Sequence, residues 1–574
     1  MTPAPRTVSR IGRARNAVDP RLRRVRRVRE RAFPAKLGPW LGPILAGGLG
    51  LYYLFVEWIA PRPFYGLQYD PEMPYFINSL ALFKGVSYSY IDHPGTPVEV
   101  IGSLLLALTR PWTRGLAEFF IPYHLAHPQL FLALAHGVIA LFSLGCVLLL
   151  ARAAVARSTP GAMVAGAAAA VAYFALDPPA TFKLLTIWSH NAFAFPFGTL
   201  ALLWLVLRLR KQEPFGPLTA LGAGVAAGLL TSVQLYFLAW GVGTVVAIGV
   251  FTWLRREAVL EVAGKILIAI LGIGLGFFLG FEPVLHRFRE FYLWVDRLVF
   301  HQGRYGTGPS GITTPGQWID NLIWVWNHAG PTAFLGTALI LGLVFVAMWT
   351  RGGPLRRHPA WWAASLALTA QLAVLWLAIG KHPGVPYLLP VAATLPLLLA
   401  LALEVLLREK DWRGGLAKGG EAVVFAAFAV GTVIAGLTHL RGVDQIALAD
   451  QAISREIRAF SQRSGVDEGE LTILWGYGVP SRCFALRFGD GYAGRSLQDE
   501  ISAVCPDQWS YDVFGGYVEL PHAYEALAAN DDWDLLVVPE RFRPPPSANL
   551  GLVHRTGVLS EGYGEILVIT RASE

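Results

Sequence analysis

Charge is scarce in this chain of 574 residues: Asp, Glu, Lys and Arg make up 15% of it, against roughly 25% in an ordinary soluble domain. That scarcity excludes an ordinary cytosolic protein. Cysteine is scarcer still, with three in all, and no CxxC pair occurs. The chain also lacks a P-loop, a GxGxxG fingerprint in a usable strand-to-helix context, an HExxH pair and a nucleophile elbow, so soluble-nucleotide and zinc-protease chemistries lose their usual signatures. No cleavable signal peptide is apparent, because the first apolar run begins near Leu37, is long enough to span, and has no A-x-A site after it.

What the chain has instead is apolar sequence. Hydrophobic residues reach 54%, mean hydropathy is +0.45, and the apolar residues fall in runs of about 18 or more, the length that a bilayer span requires. Spans are expected near 40–60, 128–151, 160–177, 187–207, 216–233, 235–254, 264–281, 331–349, 360–380, 386–407 and 421–440, about eleven transmembrane helices. The stretch around Ser232 to Tyr236 reads either as a boundary between two spans or as one broken helix.

Charge placement orients these spans. Loops expected inside carry fifteen Lys and Arg, among them Arg208, Arg210, Lys211, Arg255 and Arg256, whereas the short outer hairpins carry only Lys183 and Lys381. By the positive-inside rule the N-terminus is cytoplasmic and the C-terminus extracytoplasmic, in a multi-pass protein of the cell inner (plasma) membrane. The net charge of +8 is uneven: residues 1–36 hold twelve Lys and Arg against Asp19 and Glu30. A basic tail running straight into an apolar span reads as a cytoplasmic retention signal with attraction to anionic lipid, and no nucleic-acid partner is expected.

Three regions follow: a basic cytoplasmic tail (1–37), a transmembrane domain (38–440) with long outer loops at 61–127 and 282–330, and an extracytoplasmic domain (441–574). Both loops are rich in Trp, Tyr, His and Pro, which suits the membrane interface. In the last region an amphipathic pattern runs from Asp444 to Ser464, and the runs LTILWGYG, WDLLVVPE and EILVITR read as strands of a small α/β domain. Cys483 and Cys505 both fall there and could form a disulfide in an oxidising compartment.

The first outer loop carries Asp70, Glu72, Asp92 and Glu99 beside the hydrocarbon boundary, where ionisable groups are costly and mark function. Asp70 could be a helix N-cap, but Pro74 lacks the N–H that such a helix would need there. A helix starting at Met73 with Pro74 at N1 is therefore expected, ending at Gly85. Phe76, Ile77, Leu80 and Phe83 would share its interfacial face. Asp70 and Glu72 would then sit in the preceding turn, free to face a cavity. Asp92-His93-Pro94-Gly95 precedes Thr96-Pro97-Val98-Glu99, a capping box, so a helix is expected from Pro97. Asp92 and His93 would stand at its N-terminus, a plausible phosphate site or a polar turn that merely starts the helix.

An acidic pair after the first span, followed by Asp-x-His-Pro-Pro-Leu opening the next helix, is the pattern of the protein O-mannosyltransferases, family 39 of the glycosyltransferases. This chain resembles that family and, more broadly, the GT-C superfamily of polyprenyl-phosphate-sugar glycosyltransferases. Asp70 and Glu72 match the acidic pair with Pro71 between them, and Asp92-His93-Pro94 matches the second motif without its spacer. Gly95-Thr96-Pro97 replaces Pro-Leu. Tyr387-Leu388-Leu389-Pro390 is similar to the Arg-Tyr-x-x-Pro element of bacterial members, with Lys381 and adjacent His382 as the basic partners.

The resemblance implies a GT-C-type transmembrane fold and an inverting transfer of sugar from a polyprenyl-phosphate donor to a protein, lipid or glycan acceptor. In that scheme Asp70 is the general base, Asp92 and His93 order the site, and Arg304 and Lys381 neutralise the departing phosphate. Phe300-His301-Gln302-Gly303-Arg304-Tyr305-Gly306 is a Gly-rich stretch whose His301, Arg304 and Tyr305 would contact phosphate or sugar, or else an ordinary flexible turn. Trp188-Ser189-His190-Asn191 would line the same cavity, or serve as an aromatic anchor with a helix cap. Asp70, Glu72 and Asp92 could offer a divalent metal oxygen ligands, but their spacing gives no closed set, and the resemblance implies metal-independent transfer, so no cofactor is expected. The rival reading is a transporter or flippase of lipid-linked or small polar substrates, which would carry charges within its spans and interrupted helices in both halves. A second rival is a non-catalytic assembly protein that presents the C-terminal domain outside.

Overall fold

The structure is a computed structural model. It describes residues 69–86, 95–110, 119–155, 187–302, 313–329, 332–351, 358–406, 416–476, 478–505, 533–546, 551–560 and 564–571, with short pieces between 48 and 66, at 90–91, at 306 and 308–311, and at 508–510. Helices dominate. In chain order they are α1 (Tyr69–Lys84), α2 (Thr96–Thr109), α3 (Phe120–Ala126), α4 (Pro128–Val155), α5 (His190–Arg210), α6 (Pro217–Val233), α7 (Leu238–Leu254) and α8 (Val259–Phe281). These are followed by α9 (Phe288–Phe300), α10 (Pro315–Ala329), α11 (Thr332–Arg351), α12 (Pro359–Lys381), α13 (Leu389–Leu406), α14 (Leu416–Ser464), α15 (Arg482–Tyr492) and α16 (Gln498–Val504).

Among the described residues five helices are long and apolar enough to cross a bilayer: Pro128–Cys146, His190–Arg210, Leu235–Leu254, Val259–Phe300 and Pro359–Lys381. A sixth results if the segments Pro315–His328 and Ala333–Trp349, bent by 108° across a short break, form one span. The chain is thus a helical membrane protein, and among the described residues five or six of the eleven expected spans are found. α2, α6 and Val385–Leu399 are shorter apolar helices, the span expected at 160–177 lies outside the described residues, and that at 40–60 is described only in pieces. α6 has 17 residues where a core of about 30 Å asks for about 20. It stops because the backbone at Gln234 becomes extended (φ −156°, ψ 127°), and a 3-10 turn, Leu235–Phe237, leads into α7. The pair around Ser232 to Tyr236 is therefore two helices joined at a break.

Close backbone contact packs the bundle. α6 meets α8 along Gly224 and Gly228 on one side and Gly272, Gly276 and Gly280 on the other. A methyl added at Gly228 would fall 2.1 Å from the Ile273 carbonyl, and one at Gly276 would fall 2.1 Å from that of Val225. Small residues four apart let two helices approach in this way in lipid, where dispersion rather than water exclusion drives association. Large apolar side chains such as Leu218, Leu260, Phe345 and Trp349 point outward.

Much of the segment 282–330, expected as a long outer loop, is helical. A 3-10 segment, Glu282–Arg287, continues α8 and runs into α9, and α10 follows. α14 is likewise one helix of 49 residues, joining the expected span at 421–440 to the amphipathic segment beyond Asp444. His439 Nε2 on it donates to the Ala60 carbonyl at 2.9 Å.

The C-terminal region is an α/β domain, as its strand patterns suggest. Strands β1 (Ile473–Trp475), β2 (Gln508–Ser510), β3 (Leu535–Pro539), β4 (Val553–Ser560) and β5 (Gly564–Thr570) form one sheet in the order β2-β1-β3-β5-β4. β1 lies parallel to β2 and β3, while β5 lies antiparallel to β3 and β4. Alternate residues serve the two faces: Leu536, Val538, Leu567 and Ile569 form a small separate core, while Leu535, Val537, Ile566 and Val568 join the main one. Cys483 and Cys505 are joined in a disulfide, tying the start of α15 to the end of α16.

This domain sits on α1, α3 and the chain around Tyr90. α15 packs on α1 so closely that a methyl at Gly489 would lie 2.8 Å from the Met73 carbonyl. Arg482 Nη2 donates to the Ala126 carbonyl at the end of α3 at 2.7 Å, Lys84 pairs with Glu500, and Tyr90 meets Tyr492 edge to face.

Candidate active site

α1 begins at Tyr69, four residues before the start expected from Pro74. Pro74 lies inside the helix and removes one early backbone hydrogen bond. Burial offsets that loss: Met73, Tyr75, Phe76, Ile77 and Leu80 have no exposed surface, since α2 covers one side and α15 another. α1 is therefore a buried helix and not an interfacial one. It still ends before Gly85, which takes the left-handed φ of +79° that closes helices at low cost for glycine.

Asp70 and Glu72 consequently lie in the first turns of α1 rather than in a preceding turn. The side chain of Asp70 lies outside the described residues. Glu72 is 2% exposed, and its Oε1 accepts from the Trp188 backbone N–H at 2.9 Å and bonds His136 Nε2 on α4. Glu72 does not face an open cavity: a buried carboxylate requires partners, and two distant segments supply them. His136 was not flagged in the sequence, although an ionisable side chain inside an apolar span invites a search for its partner.

One turn further on, the Tyr75 hydroxyl and His190 Nδ1 share a bond of 2.8 Å. Gly95 lets the chain pass Tyr75. Its φ is +60°, and a methyl there would fall 2.5 Å from the tyrosine ring. Gly95 is the N-cap of α2, which starts at Thr96, one residue before the start expected at Pro97. Glu99 is fully buried. Of the segment 188–191, Ser189 does cap α5, accepting from Ala192 N at 3.2 Å. Trp188 is fully buried and so is no interfacial anchor.

The break between α6 and α7 links this cluster to a second one. Gln234 Nε2 donates to Asn191 Oδ1, and two residues later the Tyr236 hydroxyl donates to the His382 carbonyl at 3.1 Å. Tyr236 stacks on Tyr387 with ring centres 4.1 Å apart. Tyr387 sits in a 3-10 turn, Val385–Leu388, that opens α13. Lys381, ending α12, donates from Nζ to the His301 carbonyl, His382 Nε2 donates to the Leu298 carbonyl at 2.9 Å, and Asn321 Nδ2 donates to the Gly380 carbonyl at 2.8 Å. The ring of His301 donates to the Gly308 carbonyl at 3.2 Å. Gln234 and Tyr236 escaped the sequence reading, whose only hint was a polar residue interrupting two apolar runs.

Of the residues singled out in the sequence, Lys381, His382, His301 and Tyr387 come together, while Glu72 sits in the neighbouring cluster. Asp92, His93, Arg304 and Tyr305 lie outside the described residues. Among the described residues no group of three His, Cys, Asp or Glu side chains is arranged to hold a metal ion. Beside the first cluster, burial and then nearby His127 push the His124 imidazole down to about 4, so it is neutral at pH 7. It bonds Thr109 Oγ1 at 3.0 Å.

Such an arrangement holds polar groups rigidly at the end of an apolar bundle, beneath a separate domain. It can orient a carboxylate on α1 and offer cationic and aromatic groups from α12 and α13. Compared with models of known families and with characterised proteins, the chain matches none.

Proposed function

We propose that this protein is an integral-membrane glycosyltransferase that moves a sugar from a polyprenyl-phosphate carrier to an acceptor hydroxyl at the outer face of the membrane, with inversion. A lipid-carried donor calls for a site at the bilayer border with a carboxylate to take the acceptor proton and cations to meet the leaving phosphate. The observation that carries this reading is the anchoring of α1. Glu72 ties the helix to α4 and to the start of α5, which gives the neighbouring Asp70 a fixed station at its head.

Asp70 then acts as general base: it takes the proton of the acceptor hydroxyl as that oxygen attacks the anomeric carbon. The bond from that carbon to the phosphate oxygen breaks, and the polyprenyl phosphate leaves with the bonding electrons. Glu72 positions the helix rather than meeting substrate. Arg304 and Lys381 balance the charge on the phosphate, His301, His382, Tyr305 and Tyr387 shape the donor pocket, and Asp92 and His93 order the acceptor side. The domain beyond α14 lies over this end of the bundle, where it would hold the acceptor, and its disulfide suits an extracytoplasmic position.

Mass spectrometry of envelope glycans and glycoproteins from cells with and without the gene tests the proposal. A single hexose or pentose is expected to disappear from one acceptor class when the gene is deleted. Unchanged envelope glycans, together with altered uptake or flipping of a polar substrate, would favour a transporter. The break at Gln234 and the 108° bend before α11 are the features that reading would use.

A further inference from the structure

Away from the proposed active site, a groove of about 630 Å³ opens between α5, α6 and α7, a volume in the range of about 300–1,000 Å³ typical of ligand pockets. Phe197 and Trp204 wall it from α5, Gly222 and Ala226 form its floor on α6, Trp240 closes its back from α7, and Arg208 stands at one end. Small residues on membrane helices ordinarily admit a neighbouring helix, as Gly224 and Gly228 do on the other face of α6. Gly222 and Ala226 are exposed, and a methyl added at Gly222 would meet nothing within 4 Å.

The groove has the length of one leaflet. Phe197 and Arg208 are eleven residues apart on one helix, or about 16 Å at 1.5 Å per residue, which is about half of a hydrocarbon core of about 30 Å. Its end is cationic. The Arg208 guanidinium lies 5.8 Å from the Trp204 ring centre and 5.5 Å from that of Phe215. Nη1 donates to Glu213 at 3.1 Å and Nη2 donates to the Pro214 carbonyl, while the buried Nε has no hydrogen-bond partner among the described residues. Arg208, Arg210 and Lys211 set three cations against the one carboxylate of Glu213.

We propose that this groove is a lipid site, holding one acyl chain of an anionic phospholipid from the leaflet at the basic end, with the phosphate at Arg208 and Lys211. The lipid is a bound structural partner and not the sugar donor, so the site stands or falls independently of sugar transfer. Native mass spectrometry of the full chain, purified in mild detergent and supplied with dioleoylphosphatidylglycerol or dioleoylphosphatidylcholine, tests it. Wild-type protein is expected to retain the phosphatidylglycerol adduct several-fold more than the phosphatidylcholine adduct. Gly222→Leu fills the floor and is expected to lose the adduct at unchanged melting temperature, while Arg208→Gln is expected to lose the preference for the anionic lipid. Equal retention of the two lipids, or an undiminished adduct in folded Gly222→Leu, overturns the proposal. If Gly222→Leu does not fold, Lys211→Gln decides, its side chain being 71% exposed: the phosphatidylglycerol preference falls several-fold, or the site is not where the phosphate binds.

Discussion

The two long segments expected outside the membrane, 61–127 and 282–330, have similar compositions and opposite fates. In the first, α1 is buried from Glu72 to Ala81 and its own side chains reach into the bundle, Glu72 to His136 and Tyr75 to His190. In the second, few of the described residues are buried, among them Val284, Phe291, Trp294 and Val325, and the bundle reaches out to it, with Lys381 and His382 donating to the carbonyls of His301 and Leu298. A segment held by buried side-chain pairs and covered on both faces opens only when much of the fold opens, whereas one held by a few bonds at its rim opens locally. The first segment is therefore the more firmly fixed of the two, and the second the readier to open locally.

Glu72→Ala strikes the contrast hardest. It removes the acceptor that His136 and the buried Trp188 N–H share, and losing one partner of a buried pair costs about 3–5 kcal/mol. A lower melting temperature in detergent is expected, together with loss of sugar transfer. A stability equal to wild type would place Glu72 outside the anchor. Replacing Cys483 and Cys505 by Ser removes the tie between α15 and α16, with an expected loss of about 2–4 kcal/mol. Because α15 lies on α1, protease nicking should spread from the C-terminal domain to α1 while α9 and α10 keep their wild-type cleavage pattern.

Asn321→Ala should act in the opposite sense, freeing α10 from the Gly380 carbonyl at a cost of about 1 kcal/mol. Hydrogen exchange is expected to quicken in α9 and α10 and stay unchanged in α1. The smallest effect is expected at Asp490, whose carboxyl is held above its usual range chiefly by burial, against the pull of its bond from the Leu497 N–H. An acid with a raised folded value binds more protons folded than unfolded, so its contribution falls as pH rises through the window between the two values. Asp490→Asn keeps an acceptor for Leu497, so this variant should be slightly more stable than wild type at pH 7, with the gain vanishing as pH drops below that window. Melting curves at several pH values check both the direction and the window.

Much of the scaffold was legible in sequence. The runs at 128–151, 187–207, 235–254 and 360–380 became α4, α5, α7 and α12, and the three apolar runs after residue 470 became β1, β3 and β5. β2 and β4 were missed because QWS is too short and VHRTGVLS too polar to show a period of two. The start of α1 was misplaced because Pro74 is a local signal, while the burial that overrides it comes from α2 and α15, both distant in sequence. Glu72 was legible as important but not as an anchor: its partners, His136 and the Trp188 N–H, are 64 and 116 residues away. The glycine contacts between α6 and α8 left a four-residue repeat in the sequence, which apolar runs alone do not bring out.

Asp70 at the head of an anchored α1 is the centre of the proposed mechanism, and one measurement addresses it directly. Membranes bearing wild-type protein or Asp70→Asn, matched for abundance, would be supplied with a radiolabelled polyprenyl-phosphate sugar, and label reaching the acceptor followed with time. Loss of transfer in Asp70→Asn, with the protein as abundant and as heat-stable as wild type, is the expected result. Full turnover by that variant would contradict the assignment of Asp70 as the base.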